Sequence, residues 1–292
     1  MKNKVFLQLH LSILLAGFTG IFGKLITLNE GLLVCYRMLF TVLLLYPILK
    51  LRHRLTSVSL SDGIKISGAG LLLGLHWVFF YGSIKAANVS IGVVCFSLIG
   101  FFTAILEPIL LRRRFSIIEL LYSFITVIGI LLIFNFDTRY RTGIILGVIS
   151  TVLCALFTIT NKKIGERHSS STILFYEMIG GFAGLLCLLP LYLHYVPSSS
   201  MLPVGMDWLW LLLLSSFCTI GLYLLQIEAL RSISAFTLNL SYNLEPVYSI
   251  LLAMLLFGEA AELNWAFYAG IALIILSVLL QTHKEYVLRK TR

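Results

Sequence analysis

The residue best placed to do chemistry is Glu245, a carboxylate inside the largely apolar run 236–257 that is followed directly by Pro246. If this run crosses a bilayer, a charge near its middle costs roughly 2.5–3.5 kcal/mol even on lenient insertion scales, so it needs a reason. Pro246 cannot donate a backbone hydrogen bond, which predicts that the carbonyl of Tyr242 loses its partner and faces a cavity or water. We therefore expect Glu245 to bind a substrate or exchange a proton, with Pro246 as a hinge.

Other polar side chains follow helical spacing on one face of the same predicted helix, with Glu245 on the flank of that face: Asn239, Tyr242, Asn243 and Pro246. We expect this face to line a substrate cavity. The alternative is that the two asparagines join the helix to its neighbours through interhelical hydrogen bonds, each worth about 0.6–2 kcal/mol.

Two basic residues lie inside predicted helices of the first half. Arg37 lies well inside the run 32–49, where it can balance Glu245 or hold an anionic group of a substrate; its alternative role is in helix packing. Lys24 lies near the outer end of the run 6–26 and has the same two uses, but its long side chain can also extend to the membrane surface.

An aromatic face with one titratable group is predicted for the run 64–84, where His76, Trp77 and Tyr81 follow helical spacing. Histidine can change its charge between pH 5 and 8, so His76 is a second candidate for proton coupling. The alternative is a histidine whose hydrogen bonds serve packing. Hydroxyls, an amide and rings that suit an amphipathic metabolite come from other runs: Thr19, Phe22, Ser97, Phe101, Thr158 and Asn161.

The elements that must position these side chains are apolar runs, each approaching the roughly 20 residues that a helix needs to cross hydrocarbon. Mean hydropathy is +0.97 and only 12% of residues are charged, which excludes a soluble globular domain. The runs are apolar all round rather than alternating, so a membrane barrel is not expected. The fold class is therefore an all-α integral membrane protein with ten predicted spans: 6–26, 32–49, 64–84, 91–111, 117–136, 144–161, 173–193, 208–230, 236–257 and 265–281.

Small residues and cysteines have structural interpretations. The spacings Gly70-x-x-x-Gly74 and Gly180-x-x-x-Gly184 permit close approach of helix backbones and predict a tight bundle. All five cysteines lie in apolar runs without paired spacing. We therefore predict no disulfide framework, no metal site and no cofactor.

Basic residues fall almost wholly in alternate loops, which predicts orientation because cytoplasmic loops retain Lys and Arg. With the N-terminus inside, residues such as Lys50, Arg112, Lys163 and Arg231 are cytoplasmic, and both termini are expected in the cytoplasm. The net charge of +9 is then a topology signal and an attraction to anionic lipid. No nucleic-acid partner is expected.

An internal repeat divides the chain into two predicted five-helix units, 1–140 and 141–292. Residues 83–89 match 229–235 at an offset of 146, and the offset continues through the following runs. At a slightly shorter offset, Glu177 takes the position of Arg37, which suggests a charge pair used in opposite orientations. Because five is odd, the second unit must enter the membrane inverted, an arrangement typical of secondary transporters with a site near the midplane.

Several motifs together resemble the EamA family of the drug/metabolite transporter (DMT) superfamily. They are Ala229-Leu230-Arg231-x-x-Ser234-Ala235, the stretch 242–247 (Tyr-Asn-Leu-Glu-Pro-Val), Leu256-Phe257-Gly258-Glu259, Gly270, and Tyr36-Arg37-Met38. The likeness spans nearly the whole chain. The first half departs from the pattern, because Gly100 stands opposite Pro246 and Arg112-Arg113 stand where Gly258-Glu259 do.

The resemblance implies ten helices around a central cavity and alternating-access movement of a small organic metabolite, often outward. A P-loop and protease or lipase motifs are absent from the sequence, so ATP hydrolysis and enzymatic catalysis are not expected. The solute's own gradient or coupled protons would then drive transport. A non-transporting membrane component or a sensor that acts through a partner protein stays open, as does an intramembrane enzyme. We expect a monomer or homodimer in a bacterial inner membrane.

Overall fold

The computed structural model describes the backbone of residues 2–53, 56–134, 140–165, 167–258 and 265–290, and over these ranges the regular structure is helical. The first half contains helices α1 (Lys2–Leu25), α2 (Glu30–Leu51), α3 (Leu60–Ala86), α4 (Val89–Phe96), α5 (Ile99–Leu111) and α6 (Ile117–Phe134). The second half contains α7 (Arg141–Ile164), α8 (Ser170–Tyr195), α9 (Asp207–Ser215), a π-helical segment (Ser216–Gly221), α10 (Leu222–Leu230), α11 (Ala235–Ser241), a 3₁₀ turn (Tyr242–Leu244), α12 (Glu245–Phe257) and α13 (Trp265–Lys290).

The predicted all-α membrane fold is confirmed at the level of its helices. Within the described residues, eight segments are long and apolar enough to cross a bilayer. The apolar parts of α6 and α13, Ile117–Ile133 and Tyr268–Leu280, are shorter. Residues 135 and 136, at the end of the fifth predicted span, lie outside the described ranges.

Polar caps begin many of the helices and account for their boundaries. The side chains of Asn29, Ser59, Asn88, Ser169 and Ser234 each accept a hydrogen bond from a backbone N–H three residues later. These bonds satisfy donors that the first helical turn leaves open, which is especially important where no water is at hand. The short loops between the helices are thus encoded locally.

Two of the predicted spans are broken helices, which the apolar pattern did not predict. The run 91–111 is divided between α4 and α5, and the run 236–257 is divided between α11 and α12. Both breaks contain backbone bonds of the tighter i to i+3 type, as in Leu98 N–H to the Cys95 carbonyl. Hydropathy cannot detect such a break, because the residues on both sides are apolar.

Close backbone contact between α3 and α8 confirms the prediction from the glycine pairs. A Cβ atom on Gly70 would lie 1.9 Å from the carbonyl oxygen of Glu177, and one on Gly180 would lie 2.2 Å from Cβ of Ser67. These helices also contact α7 and α2, respectively, in the same part of the bundle. The glycines therefore allow α3 and α8 to approach at the level where several candidate side chains lie.

Basic residues that were predicted on one side of the membrane meet at one end of the bundle. His168 Nε2 lies 3.1 Å and Arg167 Nη1 3.9 Å from the carboxylate of Asp62. Lys162 Nζ donates to the carbonyls of Leu230, the last residue of α10, and of Ile233, which lies between α10 and α11. We call this the basic end. At the opposite end, Asp207 Oδ2 accepts a 2.7 Å hydrogen bond from the Thr27 hydroxyl.

Candidate functional site

Arg37 is completely buried in the bundle. Its guanidinium donates hydrogen bonds to neutral oxygen atoms and not to carboxylates. Nη1 donates to the Tyr81 hydroxyl at 2.7 Å, Nε donates to Thr219 Oγ1 at 2.8 Å, and Nη2 donates to the Cys218 carbonyl at 2.8 Å. The guanidinium carbon lies 3.6 Å from the centroid of the Trp77 ring. Such a cation–π contact is strongest when it is desolvated, as it is in this position.

The π-helical segment Ser216–Gly221 explains how a membrane helix can offer a carbonyl to Arg37. In that segment the Thr219 hydroxyl donates to the Leu214 carbonyl, five residues earlier, at 2.9 Å. Wider helical turns of this kind change the normal backbone pairing, and they occur often at functional sites. Ser215, the residue directly before this segment, holds the backbone of Arg37, because its hydroxyl donates to the Arg37 carbonyl at 3.1 Å.

Glu245 begins α12 and is 4% exposed. Among the residues that the structure describes, its carboxylate has neither a hydrogen-bond partner nor an ion-pair partner. Glu245 and Arg37 each interact electrostatically with Tyr81 and with Cys218. Arg37 and Glu245 therefore lie near the same two side chains but do not form an ion pair with each other. This arrangement leaves the Glu245 carboxylate available to a ligand.

The backbone at Glu245 corrects the prediction of an open carbonyl at Tyr242. The N–H of Glu245 donates to that carbonyl, closing a 3₁₀ turn. Pro246 lies in the first turn of α12, where the missing N–H has no intrahelical partner to lose. The break in the helix thus satisfies the backbone group that an interior proline would have left open.

The polar side chains that were predicted to share one face of this segment, which a 3₁₀ turn interrupts, bond to different helices. Asn239 Nδ2 donates to Thr103 Oγ1 of α5 at 2.8 Å. The Tyr242 hydroxyl donates to Ser12 of α1 at 3.0 Å, and Asn243 Nδ2 donates to Thr126 of α6 at 3.4 Å. The three side chains therefore reach three different helices, in agreement with the packing interpretation of the asparagines. Asn243 Oδ1 has no partner in the described structure.

His76 is held between α3 and α7. Its Nδ1 lies 3.0 Å from the Ser150 carbonyl and 2.8 Å from Ser150 Oγ, and that hydroxyl donates to the His76 carbonyl at 3.0 Å. The ring packs against Phe80 and Phe96, with centroids 5.9 and 5.5 Å away. These contacts favour the packing interpretation of His76, while its neighbour Trp77 takes part in the Arg37 cluster.

Glu177 does not pair with Arg37 as the repeat suggested. It is completely buried, and neither carboxylate oxygen has a hydrogen-bond partner among the described residues. Asn161 of α7 lies next to it, but both amide atoms of Asn161 also have no partner in the described structure. The two side chains form a separate polar group outside the Arg37 cluster.

The other predicted site residues have mixed surroundings. Thr19 lies beside Cys218, and its buried hydroxyl, like that of Ser97, lacks a hydrogen-bond partner in the described part of the chain. Phe22 packs near Trp210 at 6.0 Å. Thr158 donates within its own helix at 3.0 Å. Phe101 is half-buried, and its ring lies 5.7 Å from that of Phe102.

Sequence reasoning missed Thr219 and Gln226, two polar residues in the apolar run 208–230. Thr219 completes the Arg37 cluster, and Gln226 Oε1 is buried with no partner in the described structure. The available signal was the position of two polar side chains inside a spanning run. Lys24, predicted near the outer surface, lies 4.3 Å from the centroid of the Phe257 ring at the end of α12.

Comparison with known proteins gives matches along nearly the whole chain. A family model described as the EamA-like transporter family matches residues 4–135 and again residues 141–282. An "Uncharacterized transporter" of Helicobacter pylori (strain J99 / ATCC 700824) is 23% identical over 249 residues, which cover 83% of this chain and 80% of that protein. "Uncharacterized transporter YxxF" of Bacillus subtilis (strain 168) is 23% identical over 283 residues, which cover 94% of this chain and 90% of that protein.

A solved crystal structure has the same fold. It superposes with a TM-score of 0.68 at 20% sequence identity, covering 98% of this chain and 99% of the other. At this identity the likeness concerns the fold alone.

Proposed function

The chain belongs to the EamA-like transporter family, and from this premise we propose that it is a secondary transporter that moves a small organic metabolite by alternating access. It is a multi-pass membrane protein, and its relatives are named as transporters in two bacteria. The proposal places it in a bacterial inner membrane with ten spanning helices and both termini in the cytoplasm. The gathering of basic residues at one end of the bundle supports this orientation.

The observation that carries the proposal is Glu245, a buried carboxylate without a described partner at the start of a broken helix. Burying a charged carboxylate without a cation or hydrogen-bond donor beside it costs roughly several kcal/mol. We therefore expect the Glu245 carboxylate to bind a partner during part of the transport cycle. A solute or a proton can be this partner. Arg37 holds Trp77 and Tyr81 in place around the same space, which supports a positioning role for Arg37.

The two halves of the chain supply the movement in this proposal. The units 1–140 and 141–292 would be related by an inverted repeat and would rock about the Arg37–Glu245 region. Broken helices in both units support the idea, because α4–α5 and α11–α12 pack across each other. Movement at these crossings would expose Glu245 to each side of the membrane in turn.

Proton coupling is assigned to Glu245 rather than to His76. The Nδ1 atom of His76 already bonds Ser150, whereas Glu245 has no described partner to release. A carboxylate that alternates between a proton and a solute couples the two movements directly. A facilitator, by contrast, would need no titrating residue.

Solute counterflow in proteoliposomes tests the proposal, using labelled amino acids, nucleosides and other small amphipathic metabolites. We expect saturable exchange of one solute class by the parent protein and at least about a tenfold loss in Glu245→Gln, since one charge-assisted interaction is worth roughly 1.5–3 kcal/mol. Glu228→Gln, the same change at an exposed carboxylate paired with Arg231, is the matched control. Equal transport by Glu245→Gln and the parent across pH 6 to 8 would disprove coupling through this residue.

A further inference from the structure

A cavity opens at the basic end between α7 and α10. Its volume is about 290 Å³, close to the lower bound of about 300 Å³ for small-molecule pockets. Residues from both helices line it: Asn161, Lys162, Gly165, Ile227, Leu230 and Arg231. Asn161 is 1% exposed and is the buried polar side chain of this lining.

The Asn161 side chain lies close enough to the carboxylate of Glu177 to interact with it. Even so, among the described residues no partner lies within hydrogen-bond geometry of the two Glu177 oxygens or the two Asn161 amide atoms. Because the whole amide is unpaired, exchanging its oxygen and nitrogen would not satisfy it. Buried polar groups are almost always paired in folded proteins, so two adjacent unpaired side chains, one of which lines a cavity, indicate a missing ligand.

The unpaired atoms define the chemistry of that ligand. Glu177 contributes two acceptors and Asn161 contributes one, and the unpaired Oε1 of Gln226 lies on α10, the helix that forms the other wall of the cavity. Asn161 Nδ2 is the matching pure donor. An excess of acceptors around a carboxylate calls for a positively charged donor, and a primary ammonium group has three N–H donors and no acceptor.

The basic residues at the mouth of the cavity are already engaged. Lys162 Nζ donates to the carbonyls of Leu230 and Ile233 at 2.6 and 2.7 Å. Arg231 Nε lies 3.6 Å from the Glu228 carboxylate. These contacts offset part of the positive charge that a cation must pass on its way to Glu177.

An aromatic column connects this cavity to the Arg37 cluster. Phe157 lies one helical turn from Asn161, and its ring lies 5.9 Å from that of Tyr223. Tyr223 lies 5.5 Å from Trp77, which packs under Arg37. These rings join the neighbourhood of Asn161 to the Arg37 cluster through direct side-chain contacts.

We propose that Asn161 and Glu177 form a second binding station, for a primary ammonium group, between the basic-end cavity and the Arg37–Glu245 region. The identification of that ammonium group as part of the transported solute rests on the function proposed above. Binding of the group to the purified protein does not depend on transport.

Thermal unfolding of the detergent-purified protein, titrated with n-pentylammonium, tests this station. A ligand that binds the folded state alone raises the unfolding midpoint with its concentration. We expect a saturable rise with n-pentylammonium and none with trimethyl(pentyl)ammonium, which has the charge without N–H donors, or with n-pentanol, which has neither. Glu177→Gln should weaken the binding at least about tenfold, while Glu30→Gln, the same change at the opposite end of the bundle, should retain the binding of the parent.

Two results would overturn the station: equal stabilisation by all three compounds, or equal binding of n-pentylammonium by Glu177→Gln and the parent. If Glu177→Gln does not fold, Asn161→Leu provides the same comparison with the carboxylate retained, and undiminished binding by that variant would count against the station. A different pair of results would reject the transport proposal alone. In that case the protein would show no counterflow of any solute, but its binding of n-pentylammonium would still depend on Glu177. Loss of binding specificity with intact counterflow would reject the station alone.

Discussion

The two broken helices, α4–α5 and α11–α12, have the same backbone plan and different chemistry. At the offset of 146, the caps Asn88 and Ser234 correspond, and Ile99 and Glu245 each begin the second helix of their pair. Both pairs end on a left-handed residue, Arg112 at φ 52° and Gly258 at φ 68°. The break is therefore a property of both repeats, whereas the buried carboxylate stands at this position in the second one.

Proline is not required for this break. Pro246 follows the break in the second half, but Gly100 takes its place in the first half and the chain still leaves the helix there. A Cβ on Gly100 would lie 2.9 Å from the Leu240 side chain of α11. The first break is thus accompanied by close packing against the second, whereas the second has proline in the opening turn of α12.

The repeat-related charges Arg37 and Glu177 differ in a similar way. Arg37 uses three donors and faces Trp77, because the π-helical segment of the second half presents Thr219 and the Cys218 carbonyl. Glu177 lies next to Asn161 of the regular helix α7, and no hydrogen-bond geometry is met at its carboxylate among the described residues. One charge is satisfied by protein and contributes to stability, and the other is available for a ligand.

The largest effect is expected for Arg37→Met. The change removes three charge-assisted hydrogen bonds, each worth roughly 1.5–3 kcal/mol in favourable cases, and leaves Thr219, Tyr81 and the Cys218 carbonyl without donors. We expect a thermal midpoint well below that of the parent, or no folded protein in size-exclusion chromatography. Glu177→Gln should fold normally, since it breaks no described hydrogen bond. Comparable destabilisation by the two variants would remove the distinction between these charges.

A smaller effect is expected from Gly70→Ala, because the new Cβ would lie 1.9 Å from the Glu177 carbonyl oxygen and would force α3 away from α8. Overpacking of this kind typically costs about 1–3 kcal/mol. Gly68→Ala, where no atom lies within 4 Å of the new Cβ, is the matched control and should stabilise the protein by about 0.5–1 kcal/mol, because alanine favours a helix more than glycine does. Reversible unfolding in detergent measures both. Equal stability of the two variants would contradict the close approach of the helices.

The smallest effects are expected at the left-handed ends of α5 and α12. Arg112→Gly should stabilise the folded protein by about 1 kcal/mol, because a side chain disfavours this backbone conformation and glycine does not. Gly258→Ala should destabilise it by a similar amount, although no atom lies within 4 Å of the added Cβ. The same unfolding measurement applies. If both substitutions stabilised the protein, or both destabilised it, the two helix ends would not be equivalent.

Much of the fold could be predicted from local sequence. The apolar runs, polar caps and glycine pairs act on neighbouring residues or on one helix–helix contact, so Asn88, Ser234 and Gly70 behave as their residue types require. The repeat could be recognised from matches such as 83–89 with 229–235. The two helix breaks could not be predicted, because an apolar sequence is compatible with either a continuous or an interrupted helix.

The candidate site was predicted in part. Arg37, Trp77 and Tyr81 were selected separately and are brought together, whereas Asn239, Tyr242 and Asn243 diverge to three helices. Helical spacing predicts a common face only while the helix is unbroken. In this segment a 3₁₀ turn interrupts the helix between Asn239 and Pro246.

By itself, the sequence determines a helical membrane protein with an internal repeat and a few costly polar residues inside apolar runs. These features follow from the bilayer, which requires each spanning segment to satisfy its own backbone and penalises every buried charge. Only the tertiary structure decides which of the buried groups are satisfied. Arg37 and His76 find partners on distant helices, whereas Glu177 and Glu245 find none among the described residues. The reason is that a hydrogen bond depends on distances of a few tenths of an ångström between helices, and packing sets those distances.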